Sequence, residues 1–117
     1  MYWRKYKTKL SNDHCHAMVR LIEYVIVNQS CEDMEGKLHL AALAEVAQHL
    51  KAKLVNYQRE YKCTFSPAQA IAVQILLLND VLPQVTKLGD FENRMLMLSS
   101  SIHQTYESIR SVKQLSN

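Results

Sequence analysis

The sequence predicts an all-α fold, a single antiparallel up-down four-helix bundle, and three observations carry that expectation. The chain has 117 residues, an ordinary length for one domain and enough to bury roughly two-thirds of its unfolded surface. It contains two glycines and two prolines, too few for the many tight turns of a β-rich protein. Apolar residues recur at three- and four-residue spacing in four stretches, each bounded by capping or breaking residues. One domain is therefore expected over residues 1–117. A basic aromatic arm fills residues 1–10, and the helices lie at about 12–28, 36–63, 67–88 and 91–115.

Helix 1 starts behind Ser11, a good N-cap residue, and sets Cys15, Met18, Ile22 and Val25 on one stripe that Leu21 and Ile26 widen. The arm before it carries Trp3, Tyr6 and Leu10 at the same spacing, so an extra turn or two continuous with helix 1 stands beside the reading of a separate arm. Helix 2 is read from about Gly36, because a start at Ser30 with Asp33 would enclose that glycine in the first turns. From there Leu40, Leu43, Ala47, Leu50, Leu54, Tyr57 and Tyr61 step by three and four, the clearest pattern in the chain. A strand over 40–46 fails, since alternation separates Leu43 from Leu40, Ala42, Ala44 and Val46.

Ser66, Pro67 and Gln69 mark the start of helix 3: an N-cap hydroxyl, a proline at the first helical position and the glutamine of a capping box. Its core face is read as Ala68, Ile71, Ile75, Leu78, Leu82 and Val85, with Ala72, Leu76 and Leu77 making it apolar over a wider arc. Pro83 kinks or ends it, and Leu88-Gly89 is the expected stop, with Asp90 capping the next helix. Helix 4 places Phe91, Met95, Leu98, Ile102, Thr105, Ile109 and Val112 on one face. Four amphipathic segments with short connections pack most economically up-down-up-down. No internal repeat, low-complexity tract or interdomain linker is read along the chain.

Charge and cysteine usage narrow the setting. The formal net charge is +3, and Arg4, Lys5, Lys7 and Lys9 hold all the excess, so the basic feature is the arm and not the whole surface. Cys15, Cys31 and Cys63 are widely spaced without a C-x-x-C pair, which fits reduced thiols in the cytoplasm and neither a disulfide framework nor a zinc ribbon. The basic N-terminus runs into Ser11-Asn12-Asp13-His14, and the best apolar run, from Leu21 to Val27, contains Glu23. No signal peptide, membrane span or membrane partner is expected.

Candidate sites are few. Residues Tyr2-Trp3-Arg4-Lys5-Tyr6-Lys7 alternate aromatic and cationic side chains, a combination that grips single-stranded nucleic acid by stacking and phosphate contact, or an anionic membrane surface. The plainer reading packs Trp3 and Tyr6 on the protein and leaves the lysines solvated. The contact set for nucleic acid is Trp3, Arg4, Lys5, Tyr6, Lys7 and Lys9, joined by Lys51, Arg59 and Lys62 on one sector of helix 2. Asp13-His14-Cys15-His16 has ligand chemistry, but consecutive helical residues diverge and only Asp13 and His16 share a face. Glu45 and His49, one turn apart, read as a surface pair. No P-loop, dinucleotide fingerprint, nucleophile elbow or H-E-x-x-H is present, so no catalytic residue, cofactor or metal is assigned. Leu76, Leu77, Leu96 and Met97 fall off the core stripes and are the candidate partner surface. The expected function is that of a small non-enzymatic intracellular module binding another protein or itself, with a nucleic-acid-binding accessory role for the arm as the alternative.

Overall fold

The computed structural model describes residues 4–29, 32–84 and 89–115. Its elements run β1 (Tyr6–Ser11), α1 (Asn12–Asn28), α2 (Met34–Leu54), β2 (Glu60–Phe65), α3 (Pro67–Leu76) and α4 (Asp90–Leu115). The fold is not the all-α four-helix bundle of the sequence reading. Four α-helices are joined by a two-stranded antiparallel ribbon, in which Tyr6 pairs with Phe65 and Ser11 with Glu60.

Two stretches overturn the bundle. The segment read as an arm is β1, and the last turns read into helix 2 are a loop and β2. The cause is period: Tyr61, Cys63 and Phe65 are buried while Glu60, Lys62 and Thr64 are exposed, a strict two-residue alternation. Tyr6 and Leu10 are likewise buried between exposed Lys7 and Lys9. Aromatic and β-branched residues on a half-buried surface favour strand over helix. The spacing from Leu54 to Tyr57 to Tyr61 therefore mimicked a helical seam without forming one, and Tyr57 is 76% exposed.

Each strand leads directly into a helix through a serine. Ser11 and Ser66 both hold extended backbone, and their hydroxyls accept from the N–H groups of His14 and Gln69 at 3.2 Å. The Gln69 side chain accepts from the Ser66 N–H at 2.9 Å, completing a capping box. Helix α2 starts earlier than Gly36, because the Asp33 carboxylate accepts from the Gly36 N–H at 2.7 Å and caps Met34 onward. Beyond Leu76 the α3 backbone widens into a π-turn over Leu77–Val81, where the Leu82 N–H reaches the Leu77 carbonyl, and then tightens into a 3₁₀ turn over Leu82–Gln84. Pro83 lacks an N–H and clashes with the carbonyl four residues back, so regular α geometry ends before it. Ser30, Cys31, Val85, Leu88 and the side chains of Ile109 and Val112 lie outside the described residues.

The helices cover one face of the ribbon. Leu10, Tyr61, Cys63 and Phe65 from the strands share a core with Cys15, Met18 and Ile22 of α1, Leu43, Ala47 and Leu50 of α2, and Met95, Leu98 and Ile102 of α4. Helix α3 enters that core through Ala70, Val73, Leu76 and Leu77, whereas Ile75 and Leu78 face outward and Ala68 is exposed. Its buried face is thus rotated from the stripe read in the sequence, which was ambiguous because the helix is apolar over so wide an arc.

Candidate nucleic-acid interface

The face of the ribbon turned away from the helices is basic. Antiparallel register places Lys7 opposite Thr64, Lys9 opposite Lys62, and Ser11 opposite Glu60, and the alternation that buries Tyr61 and Phe65 turns the lysines outward. Lys9 and Lys62 are therefore directly opposed like charges, an arrangement that weakens a ribbon unless an anion sits between them. Among the described residues the ion pairs are His14–Asp90 and Lys51–Glu23, so none of these three lysines is neutralised by a carboxylate. Glu60 is the acid on this face, at its Ser11 end.

The ribbon is held as a rigid platform. From α4, the Arg94 guanidinium donates to the Lys9 carbonyl at 2.7 Å and the Thr8 hydroxyl at 2.8 Å. The Tyr6 hydroxyl donates to the Ser101 hydroxyl at 2.8 Å, and the Tyr106 hydroxyl donates to the Arg4 carbonyl at 3.0 Å. Burial, then the neighbouring Tyr6, raise the Tyr106 phenol above its ordinary value. On the opposite strand the buried Tyr61 hydroxyl accepts from the Asn12 side chain at 3.1 Å and the Gln58 N–H at 3.0 Å, and donates to the Asn56 carbonyl at 3.0 Å. The Asn12 N–H also donates to the Arg59 carbonyl at 3.1 Å, tying the start of β2 to the start of α1. Between β1 and α4 lies a cleft of about 640 Å³ lined by Arg4, Lys5, Tyr6, Lys7, Ser101 and Thr105.

Of the residues the sequence assigned to nucleic-acid contact, Arg4, Lys5, Lys7, Lys9, Arg59 and Lys62 are exposed on or beside the ribbon. Tyr6 is not available for stacking, because it is core. Trp3 lies outside the described residues. Lys51 leaves the set: it sits on α2 and pairs with Glu23 of α1 at 2.8 Å, beside a groove formed with His16 and Arg20. The sector shared by Lys51, Arg59 and Lys62 required one continuous helix, and α2 ends at Leu54. Opposition of Lys62 and Lys9 was the feature that helical spacing hid, and the alternating E-Y-K-C-T-F and Y-K-T-K-L segments were its available signal.

The other candidates disperse. Leu76 and Leu77 are fully buried, so they leave the proposed partner surface, while Leu96 and Met97 are 41% and 64% exposed. Among the described residues no three His, Cys, Asp or Glu side chains converge as metal ligands, and no helix is long and apolar enough to cross a membrane. His14 meets Asp90 at 3.0 Å and packs edge-on against Phe91, joining α1 to α4. His49 packs edge-on against Phe65 at 5.7 Å. Cys15 and Cys63 meet in the core: an S–H···S bond from Cys15 and then burial raise the Cys15 thiol, and the same bond lowers Cys63 against the effect of burial. Against protein-family models, curated proteins and solved structures the chain matches none, so geometry alone carries the functional argument.

Proposed function

We propose that the protein is a non-enzymatic nucleic-acid-binding module of the cytoplasm that grips the phosphate backbone with the exposed face of its β1–β2 ribbon. The carrying observation is the opposition of Lys9 and Lys62 beside Lys7, none of the three in an ion pair with a carboxylate among the described residues. A phosphate between two opposed ammonium groups relieves their repulsion and releases counterions, so affinity comes with a steep salt dependence. The platform is ordered before binding through Arg94, Ser101 and Tyr106, which limits the conformational entropy lost on association. Fluorescence anisotropy with short DNA and RNA at rising salt tests the reading. Log affinity should fall against log salt with a slope of about −3 to −5, as expected for a handful of phosphate contacts. Joint substitution Lys7→Glu, Lys9→Glu and Lys62→Glu should abolish binding while helical content persists. Binding untouched by these reversals sinks the proposal.

A second reading, self-association or capture of a partner protein, draws on a different place. Tyr24 and Val27 at the end of α1 and Met34 and Leu38 at the start of α2 gather exposed apolar area at one end of the helical hairpin. A mass measurement by light scattering across concentration separates it, since association through that end should disappear in Val27→Lys with Leu38→Glu and leave the ribbon unaffected.

A further inference from the structure

Aligned on the strands, the chain repeats itself. Tyr2, Arg4, Tyr6, Lys7 and Ser11 recur as Tyr57, Arg59, Tyr61, Lys62 and Ser66 at one constant separation, with Leu10 answered by Phe65. Both copies of Y-x-R-x-Y-K end in a serine that caps the next helix, and the core positions continue in step, Leu40, Leu43 and Ala47 matching Met95, Leu98 and Ile102. The repeat is a β-α-α unit used twice, and it escapes a search for short periods because only the strand segments keep their residue identities.

Its consequence lies in the ribbon. Two equivalent strands paired antiparallel carry a local two-fold axis perpendicular to their plane, here passing between Thr8 and Cys63, the pair in which a residue meets its own counterpart. Lys7 and Lys62 are exchanged by that axis, as are Arg4 and Arg59. The Asn12–Arg59 hydrogen bond sets Arg59 at the far end of the ribbon from Arg4, roughly 26 Å away at the rise of an extended strand. Duplex nucleic acid has the same symmetry: looking into a groove, its two backbones are related by a dyad perpendicular to the helix axis, and two-fold proteins align with it. Single strands have no such dyad. A two-stranded ribbon fits the B-DNA major groove, about 12 Å wide, whereas the deep, narrow major groove of duplex RNA excludes it.

We infer that the ribbon docks on double-stranded DNA with its local two-fold on the DNA dyad, Lys7 of the outward face meeting one backbone and Lys62 the other. Arg4 and Arg59, in step with buried Tyr6 and Tyr61, reach the same backbones from the two ends of the ribbon. This deepens the nucleic-acid reading and rests on it. Lys5 against Glu60 and Lys9 against Thr64 break the symmetry, making the β1 half the more basic, so the match is approximate and favours neither a fixed orientation nor a strict palindrome.

The experiment uses the full chain and three fluorescent probes of one sequence, about 20 base pairs of duplex DNA, its single strand and the corresponding duplex RNA. Duplex DNA should bind about ten-fold more tightly than the other two at moderate salt. Lys7→Ala and Lys62→Ala should weaken it by factors that agree within about two-fold, and each should lower the salt slope by about 1. Arg4→Ala and Arg59→Ala should agree in the same way. Equal or tighter binding of single strands or duplex RNA, or losses confined to Arg4 and Lys7, overturns the dyad inference while leaving nucleic-acid binding in place. Absence of binding to all three probes ends both.

Discussion

His49 shows how one side chain reports on the core it touches. It lies on α2, half-buried, with its ring edge-on to Phe65 and its Nε2 without a hydrogen-bond partner among the described residues. Burial, and then the Lys53 ammonium, hold it below its ordinary value of 6.5. His39, lowered by burial and partly restored by Asp80, behaves alike. For both, the unfolded chain binds protons more readily than the folded one between 6.5 and the lower native value. Stability is thus fully present above that upper limit and declines as pH falls through the window. Urea midpoints at about pH 7.5 and about pH 5 should differ, and His49→Gln should shrink the difference. An undiminished difference in that variant places the pH dependence elsewhere. The histidine attracts attention in the sequence as a ligand or acid–base group, yet its neighbours are Lys53, one turn on along α2 and legible from helical spacing, and Phe65, which depends on where β2 runs.

The ribbon trades stability for charge. Lys9 and Lys62, directly opposed, repel, and Lys7 lies on the diagonal. Lys62→Glu converts the opposed pair to an attractive one and should raise stability by about 0.5 kcal/mol, read as a higher urea midpoint. The same variant should lose nucleic-acid affinity, so opposite signs in the two assays identify a charge kept for binding. A fall in both indicates that Lys62 serves the fold. The helices were legible in their caps: Ser11 and Ser66 announce α1 and α3, and Cys15, Met18, Ile22 and Val25 are buried on the stripe their spacing drew. The strands were not, because each is six residues long, too short to outweigh a neighbouring helical pattern, and Tyr57 and Tyr61 fall by coincidence on the heptad of α2. Half of the candidate surface was nonetheless visible, since Lys7 and Lys9 of the arm lie on β1 with Arg4 and Lys5 just before it. Their partner strand was hidden inside a helix that ends earlier than its pattern.

In the molecule as a whole, the two strands are separated in sequence by the entire α1–α2 hairpin, so β1 and β2 meet only when that hairpin has folded back between them. β1 then lies between β2 and α4, bonded to one through the ladder and to the other through Arg94, Ser101 and Tyr106. Residues 4–9 are consequently part of the fold and not an appendage. A chain beginning at Leu10 loses Tyr6, which is 5% exposed, and leaves Cys63 and Phe65 without their paired strand. Burial of one large side chain contributes about 1.5–3 kcal/mol, and each ladder hydrogen bond about 0.5–1.5 kcal/mol. The truncation should therefore destabilise by about 3–5 kcal/mol, a large share of the roughly 5–15 kcal/mol typical of a domain. Urea unfolding followed by far- and near-ultraviolet circular dichroism should show a lower midpoint and weakened aromatic signal. An unchanged midpoint means that the helices hold together without β1. That outcome would return the segment to the status of a free basic arm and remove the platform on which the opposed lysines stand. Loss of nucleic-acid binding in such a truncation would reflect a damaged fold as much as missing charges, which is why single-residue substitutions on an intact ribbon are the sharper probe.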